Sequence, residues 1–150
     1  MKNNWLKLAL ITSTLLTMTA CSSEKETPTH ETVIEHKKTF NIPWEKDLST
    51  AFARSKAENK DLLVMAVSKG CRWCDKMKEK TLSNPQVAKK LEKYIMVQAD
   101  RETPSERGQL PEFRHVPIIF FMTPQKEVID NLRGYFKADD FLDYLNEMDN

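Results

Sequence analysis

The sequence predicts an α/β domain in which a mixed central sheet is flanked by helices and finished by a C-terminal β-hairpin and a last helix. Three observations carry this. Residues 62–67 and 118–122 are unbroken apolar runs of strand length, as strands covered on both faces show. Segments with helical apolar spacing alternate with the first strands, which favours helices packed on a sheet. Late in the chain Thr123-Pro124-Gln125-Lys126 forms a turn between two strand-like runs, so at least one strand pair is antiparallel.

Taken in order, residues 47–59 place Leu48, Ala51 and Phe52 on one helical face, with Lys and Glu elsewhere. Leu62-Leu63-Val64-Met65-Ala66-Val67 is the central strand, and Ser68-Lys69-Gly70 ends it. A helix then starts at or just after Cys71 and runs to about Thr81. Asn84-Pro85 reads as an N-cap with proline at the first helical position, opening a helix through Val87 and Leu91. Residues 94–99 form a second apolar strand. The polar stretch 100–114, with Gly108 and two prolines, has room for a short helix. Residues 118–122 are a third strand and 128–132 a more polar, edge-like one. After Gly134, Phe141, Leu142, Leu145 and Met148 line one face of a closing helix.

The composition, 40% hydrophobic and 30% charged, suits a soluble globular domain and is too apolar for a wholly disordered chain. A formal charge of +1, without a basic patch interleaved with aromatics, gives no sign of nucleic acid as a partner. The N-terminus stands apart. Lys2 and Lys7 precede an apolar, uncharged run over residues 8–20, the layout of a secretory signal and too short for a permanent membrane span. It ends in Met18-Thr19-Ala20-Cys21, which resembles the bacterial lipoprotein processing site and makes Cys21 the candidate lipidation site. A plain signal cleaved near Ala20, with Cys21 left as a thiol, is the alternative, and both export the chain. Residues 21–39 are rich in Ser, Thr, Glu and Lys and read as a flexible tether with a reach of roughly 20–25 Å. The expected organisation is therefore a signal over 1–20, a tether over 21–39 and a folded domain over 40–150, held by lipid on a bacterial membrane facing the periplasm or the cell exterior.

Of three cysteines, lipid on Cys21 leaves Cys71 and Cys74 for redox or metal work. A disulfide between residues so close in sequence would restrict the unfolded chain very little, so a structural staple is excluded. Cys71-Arg72-Trp73-Cys74 lies where an apolar strand passes through Gly70 into a helix. A cysteine there meets unpaired backbone N–H groups and the positive end of the helix dipole, both favouring the thiolate that attacks disulfides. Lys69 and Arg72 add positive charge, and Asp75 opposes them in part. Cys74, one helical turn on, can reach back to Cys71, which suits a two-step exchange in which Cys71 forms the mixed disulfide and Cys74 resolves it. Trp73 either offers an apolar contact to a partner or simply packs.

The stretch from about Asp61 to Met148 resembles the thioredoxin superfamily, in particular the C-terminal domain of the bacterial membrane thiol–disulfide interchange reductase. The carrying residues are the strand ahead of Cys71-Arg72-Trp73-Cys74, the run Lys80-Thr81-Leu82-Ser83-Asn84-Pro85-Gln86-Val87, then His115-Val116-Pro117-Ile118-Ile119-Phe120-Phe121, and Gly134. The resemblance implies a thioredoxin-like fold, with Cys71 and Cys74 forming a redox-active disulfide, Cys71 the exposed nucleophile and Cys74 the buried resolving thiol. It implies a cis bond before Pro117, that proline packing against the dithiol, and Val116 presenting its backbone to an extended substrate; Trp73 and Arg72, between the cysteines, are further candidate substrate contacts. Protein disulfides as substrates and a membrane electron donor follow from the same resemblance, with no cofactor.

Three positions depart from the family pattern. Met65 stands where many thioredoxins carry a buried acid, Gly70 replaces the usual Trp before the motif, and no proline separates the cysteines. Asp75 or Glu79 could replace the missing acid, or both are solvated helix-face residues. Rival readings are a disulfide-forming oxidant of the same fold, a copper(I) chaperone and a non-enzymatic adaptor. Zinc needs four ligands, whereas the domain offers two thiols and His115, with His30 and His36 in the tether. Met65 and Met77, the soft side chains that copper(I) would need, read as core residues.

Overall fold

A computed structural model describes residues 42–150. The expected signal, the tether, Cys21 and the domain's start at residue 40 lie outside the described residues. Five strands and the helices between them appear in the order β1 (Trp44–Glu45), α1 (Leu48–Glu58), β2 (Leu62–Val67), α2 (Arg72–Lys76), a π-helical turn (Met77–Leu82), α3 (Pro85–Leu91), β3 (Ile95–Asp100), α4 (Pro104–Arg107), β4 (Ile118–Met122), β5 (Val128–Arg133) and α5 (Ala138–Met148). The sheet order is β1-β3-β2-β4-β5. β1 and β2 run parallel to β3, while β4 runs antiparallel to both β2 and β5. This is the expected mixed sheet with its closing hairpin and helix.

Alternation along the central strands feeds two cores. Leu62, Val64 and Ala66 of β2 join Ile118, Phe120 and Met122 of β4 on the face covered by Leu48, Ala51 and Phe52 of α1. Leu63 and Met65, with Ile119 and Phe121, point to the other face, where Cys74, Met77, Val87, Leu91, Phe141 and Leu145 cover them. Burial on both faces is why β2 and β4 are apolar at every position rather than at every second one. β5 lies at the edge, and its Val128 and Ile129 stay exposed.

Local chemistry sets the element ends. The Asp47 carboxylate accepts from Thr50 N–H at 2.7 Å to start α1, and the Asn84 side chain accepts from Gln86 and Val87 N–H at α3. The expected single helix from Cys71 to Thr81 is instead α2 followed by a π-helical turn. That turn buries Met77, Thr81 and Leu82 together, and the Thr81 hydroxyl donates to the Phe136 carbonyl at 2.5 Å. The second strand begins at Ile95 rather than Tyr94, because Tyr94 closes the preceding turn through its N–H to Leu91 O and sets its ring against Phe121.

The C-terminal helix is tied down in its second half and at its C-terminus. Tyr144 Oη donates to Asp130 Oδ2 at 2.8 Å, linking α5 to β5. At the C-terminus Lys90 Nζ donates to Asp149 Oδ2 at 2.6 Å, and Lys93 donates to the other oxygen. These lysines pull the Asp149 carboxyl down to about 2, the Lys90 hydrogen bond first and Lys93 next. A carboxyl whose folded pKa lies below its unfolded one contributes stability above about pH 4 that is lost as the pH falls towards 2. Asp149→Asn should therefore flatten the acid limb between about pH 4 and 2 by lowering stability slightly above about pH 4, a small loss because the pair is solvent-screened, while the two proteins converge near pH 2. Urea midpoints across that range check this, and an unaltered acid limb would refute it.

Candidate active site

The dithiol sits where β2 leaves the sheet. β2 ends at Val67, Gly70 takes a φ of +72°, and Cys71 caps α2. A side chain at residue 70 would meet no neighbour, so the backbone angle alone accounts for glycine in the place of the usual bulky residue. Cys71 is half-buried and Cys74 only 2% exposed. The two are joined as a disulfide with Cα atoms 5.2 Å apart. Cys74 N–H donates to Cys71 Sγ at 3.2 Å, and Cys74 and Asp75 N–H both donate to the Cys71 carbonyl. The sulfur of Cys71 thus lies at the start of a helix, in the field of unpaired N–H groups.

Val116 and Pro117 reach the same end of the sheet from the opposite direction. Ile118 pairs with Ala66 in the antiparallel β2–β4 ladder, which sets the two residues before it alongside the exit of β2. The Val116–Pro117 bond is cis. Pro117 is buried and Val116 half-buried, the latter packed against both cores. The Pro117 carbonyl accepts from Gly134 N–H at 2.8 Å, where Gly134 has a φ of +92°, and this bond ties the β5–α5 junction to the proline.

The surroundings of the two sulfurs differ sharply. Met65 is fully buried in the same apolar cluster as Cys74, with Leu63 and Met77. Neither candidate replacement for an acid lies beneath the dithiol. Asp75 is exposed and paired with Lys78 at 3.0 Å, and Glu79 is exposed on the π-helical turn. Among the described residues no group of three or more His, Cys, Asp or Glu side chains gathers as a metal set, and no helix is long and apolar enough to cross a membrane.

On the outer side Trp73 is 44% exposed, its ring 5.5 Å from that of Tyr135. Lys76 Nζ lies 4.9 Å from the Trp73 centroid and 4.6 Å from that of Tyr135, and the Arg72 guanidinium is 5.5 Å from Trp73. Trp73 is therefore packed on one side and open on the other. Sequence reasoning missed Tyr135 and Lys76, although Tyr135 directly follows the Gly134 that it singled out. Beyond Pro117 a cavity of about 460 Å³ is lined by Phe113, Arg114, His115, Ile118, Arg133 and Glu112. His115 is exposed there.

A βαβ start, an antiparallel hairpin, a cysteine pair at the β2–α2 junction and a cis-proline opposite it define the thioredoxin class. Residues 43–124 match the family described as thioredoxin-like, and the chain belongs to that family. Among curated proteins it is similar to the thiol:disulfide interchange protein DsbD of Vibrio cholerae, 28% identical over 107 residues that take in 67% of this chain. The chain spans only 18% of the length of that relative. Among solved structures, a thioredoxin from Thermus thermophilus superposes with a TM-score of 0.57 at 23% identity, covering 68% of this chain and 83% of that one. The oxidised C-terminal domain of DsbD from Neisseria meningitidis gives 0.54 at 20% identity, covering 66% and 90%.

Proposed function

We propose that this chain is a membrane-tethered thiol–disulfide oxidoreductase that passes electrons to protein disulfides. The observation that carries the reading is the unequal pair at the head of α2, with Cys71 reachable from solvent and Cys74 enclosed in apolar surroundings. In the reduced protein the Cys71 thiolate attacks one sulfur of a substrate disulfide. A Cys71–substrate disulfide forms, and the other substrate sulfur leaves as a thiolate that takes up a proton. Cys74, giving up its proton, then attacks Cys71 Sγ and expels the first substrate sulfur. The net result is two electrons transferred to the substrate, whose two thiolates take up one proton from Cys74 and one from solvent, and the Cys71–Cys74 disulfide left behind. The backbone of Val116 is the docking edge for the extended substrate, with Pro117 holding that edge against the dithiol. Trp73 and Arg72 contact the substrate from the other side.

A membrane dithiol protein that reduces Cys71–Cys74 again is the donor this cycle requires. Export, lipid on Cys21 and a location facing the periplasm or cell exterior are part of the same proposal. They rest on the N-terminal sequence and on the likeness to a thiol:disulfide interchange protein. Cys71→Ser should abolish catalysed reduction of a model protein disulfide, and activity persisting in that variant would refute the assignment. The direction is read from the potential of the pair: a value near −270 mV fits a reductant, and one near −120 mV would make the chain an oxidant instead.

A further inference from the structure

The basic side chains of the domain fall into two sets. Lys46, Arg54, Lys60, Lys78, Lys90 and Lys93 each have a carboxylate within ion-pair distance. Lys69, Arg72, Lys76, Arg101, Arg114 and Arg133 have none among the described residues. Lys56, Lys80, Lys89, Arg107, Lys126 and Lys137, placed elsewhere along the chain, also have none, but the six just named gather at one end of the sheet, the end that carries Cys71. Lys69 and Arg72 flank the cysteine in sequence, and Lys76 lies against Trp73 and Tyr135. Arg101 N–H donates to Val67 O at the exit of β2, and its guanidinium donates to the Arg114 carbonyl. Arg133 pairs in register with Ile118, directly after Pro117.

None of the acids at this end is within ion-pair distance of these six cations. Asp75 is taken by Lys78, Glu106 accepts from Asp100 N–H, and Asp100 accepts from Glu102 N–H. Glu112 shares the cavity beyond Pro117, yet neither Arg114 nor Arg133 is within ion-pair distance of it. The dithiol therefore lies between two basic lobes, each with an apolar surface: Arg72 and Lys76 on the Trp73–Tyr135 pair, and Arg114 and Arg133 lining one cavity with Phe113 and Ile118.

We propose that the redox partner of this chain is a protein with acidic residues on both sides of its reacting cysteine, docked across these two lobes. The inference rests on the exchange reading above and adds the chemistry by which a partner is chosen. Cations without carboxylates of their own leave a positive field at the rim, and such a field raises the association rate of an oppositely charged partner while opposing a like-charged one. The aromatic pair and the Phe113 cavity take the apolar side chains between the acids.

The test uses two peptide disulfides with the same core, one flanked by Asp and Glu and the other by Lys, alongside uncharged hydroxyethyl disulfide. With dithiothreitol as the electron source, kcat/KM should favour the acidic peptide by about tenfold or more at low ionic strength. The preference should shrink towards unity near 0.3 M salt, where screening shortens the range of surface charges to well under about 8 Å. Arg114→Glu combined with Arg133→Glu should reduce or reverse the ratio. If hydroxyethyl disulfide is turned over and both peptides react equally at low salt, docking by charge is overturned and the exchange reading stands. If none of the three disulfides is reduced, both fall.

Discussion

Cys74→Ser should convert the protein from a catalyst into a trap. Without the second thiol the Cys71 thiolate still attacks a disulfide, but the mixed disulfide then waits for an external thiol. Cys74 N–H is 3.2 Å from Cys71 Sγ and the residue is fixed by the first turn of α2, so the resolving sulfur needs no search. An external thiol at about 1 mM is roughly a thousandfold weaker than an internal group at an effective concentration of only about 1 M, which is far below the limit for well-oriented groups. Turnover should fall by about that factor while the first, stoichiometric step survives. Non-reducing electrophoresis after mixing with a disulfide-bonded protein should show a Cys71-linked adduct that reductant dissolves. Multiple turnovers at the wild-type rate would disprove the division of labour between the two sulfurs.

The largest loss of stability is expected from Phe121→Ala. Phe121 is fully buried near the end of β4, paired with Leu63 of β2, and its ring meets Tyr94 at 5.3 Å and Tyr144 at 5.8 Å. Truncation removes the apolar surface and leaves a void between the sheet and α5 that the paired strands cannot close. Such changes cost about 3–5 kcal/mol. Against a total of about 5–15 kcal/mol for a domain, that is a large share. The thermal midpoint should drop by more than about 10 °C. A cost under about 1 kcal/mol in urea unfolding would mean that the core repacks far more freely than a two-sided sheet permits.

The two buried strands were legible to the residue, because burial on both faces leaves an unbroken apolar run whose ends are marked by Asp61, Ser68, Pro117 and Thr123. α3 was equally plain, since Asn84 and Pro85 state its first turn outright. β1 was not: a two-residue strand has no periodicity to read, and only its pairing with Met96 and Val97 makes it one. The π-helical turn escaped for a related reason. Its extra residue answers to tertiary demands, the burial of Met77 and Leu82 together with the Thr81 bond to Phe136, and none of these is visible locally. At the site, the cysteine pair could be found from spacing and context. Pro117 could be placed only through the family resemblance, because its partner elements lie far away in sequence. Of the basic rim only Lys69 and Arg72, in and beside the cysteine motif, could be read. Arg101, Arg114 and Arg133 are scattered over the chain, and a near-neutral total conceals which charges are paired.

The unequal exposure of the two sulfurs also governs how such a protein can be used. Under the proposed function, with Cys74 enclosed, donor and acceptor must both work through Cys71, on one and the same face. The two partners then exclude each other, and electrons move in alternating visits, as in a ping-pong cycle. No three-protein complex is needed, and none can form around that sulfur. Throughput then depends on how quickly each visitor leaves, so a surface that bound its acceptor too tightly would shut out the donor.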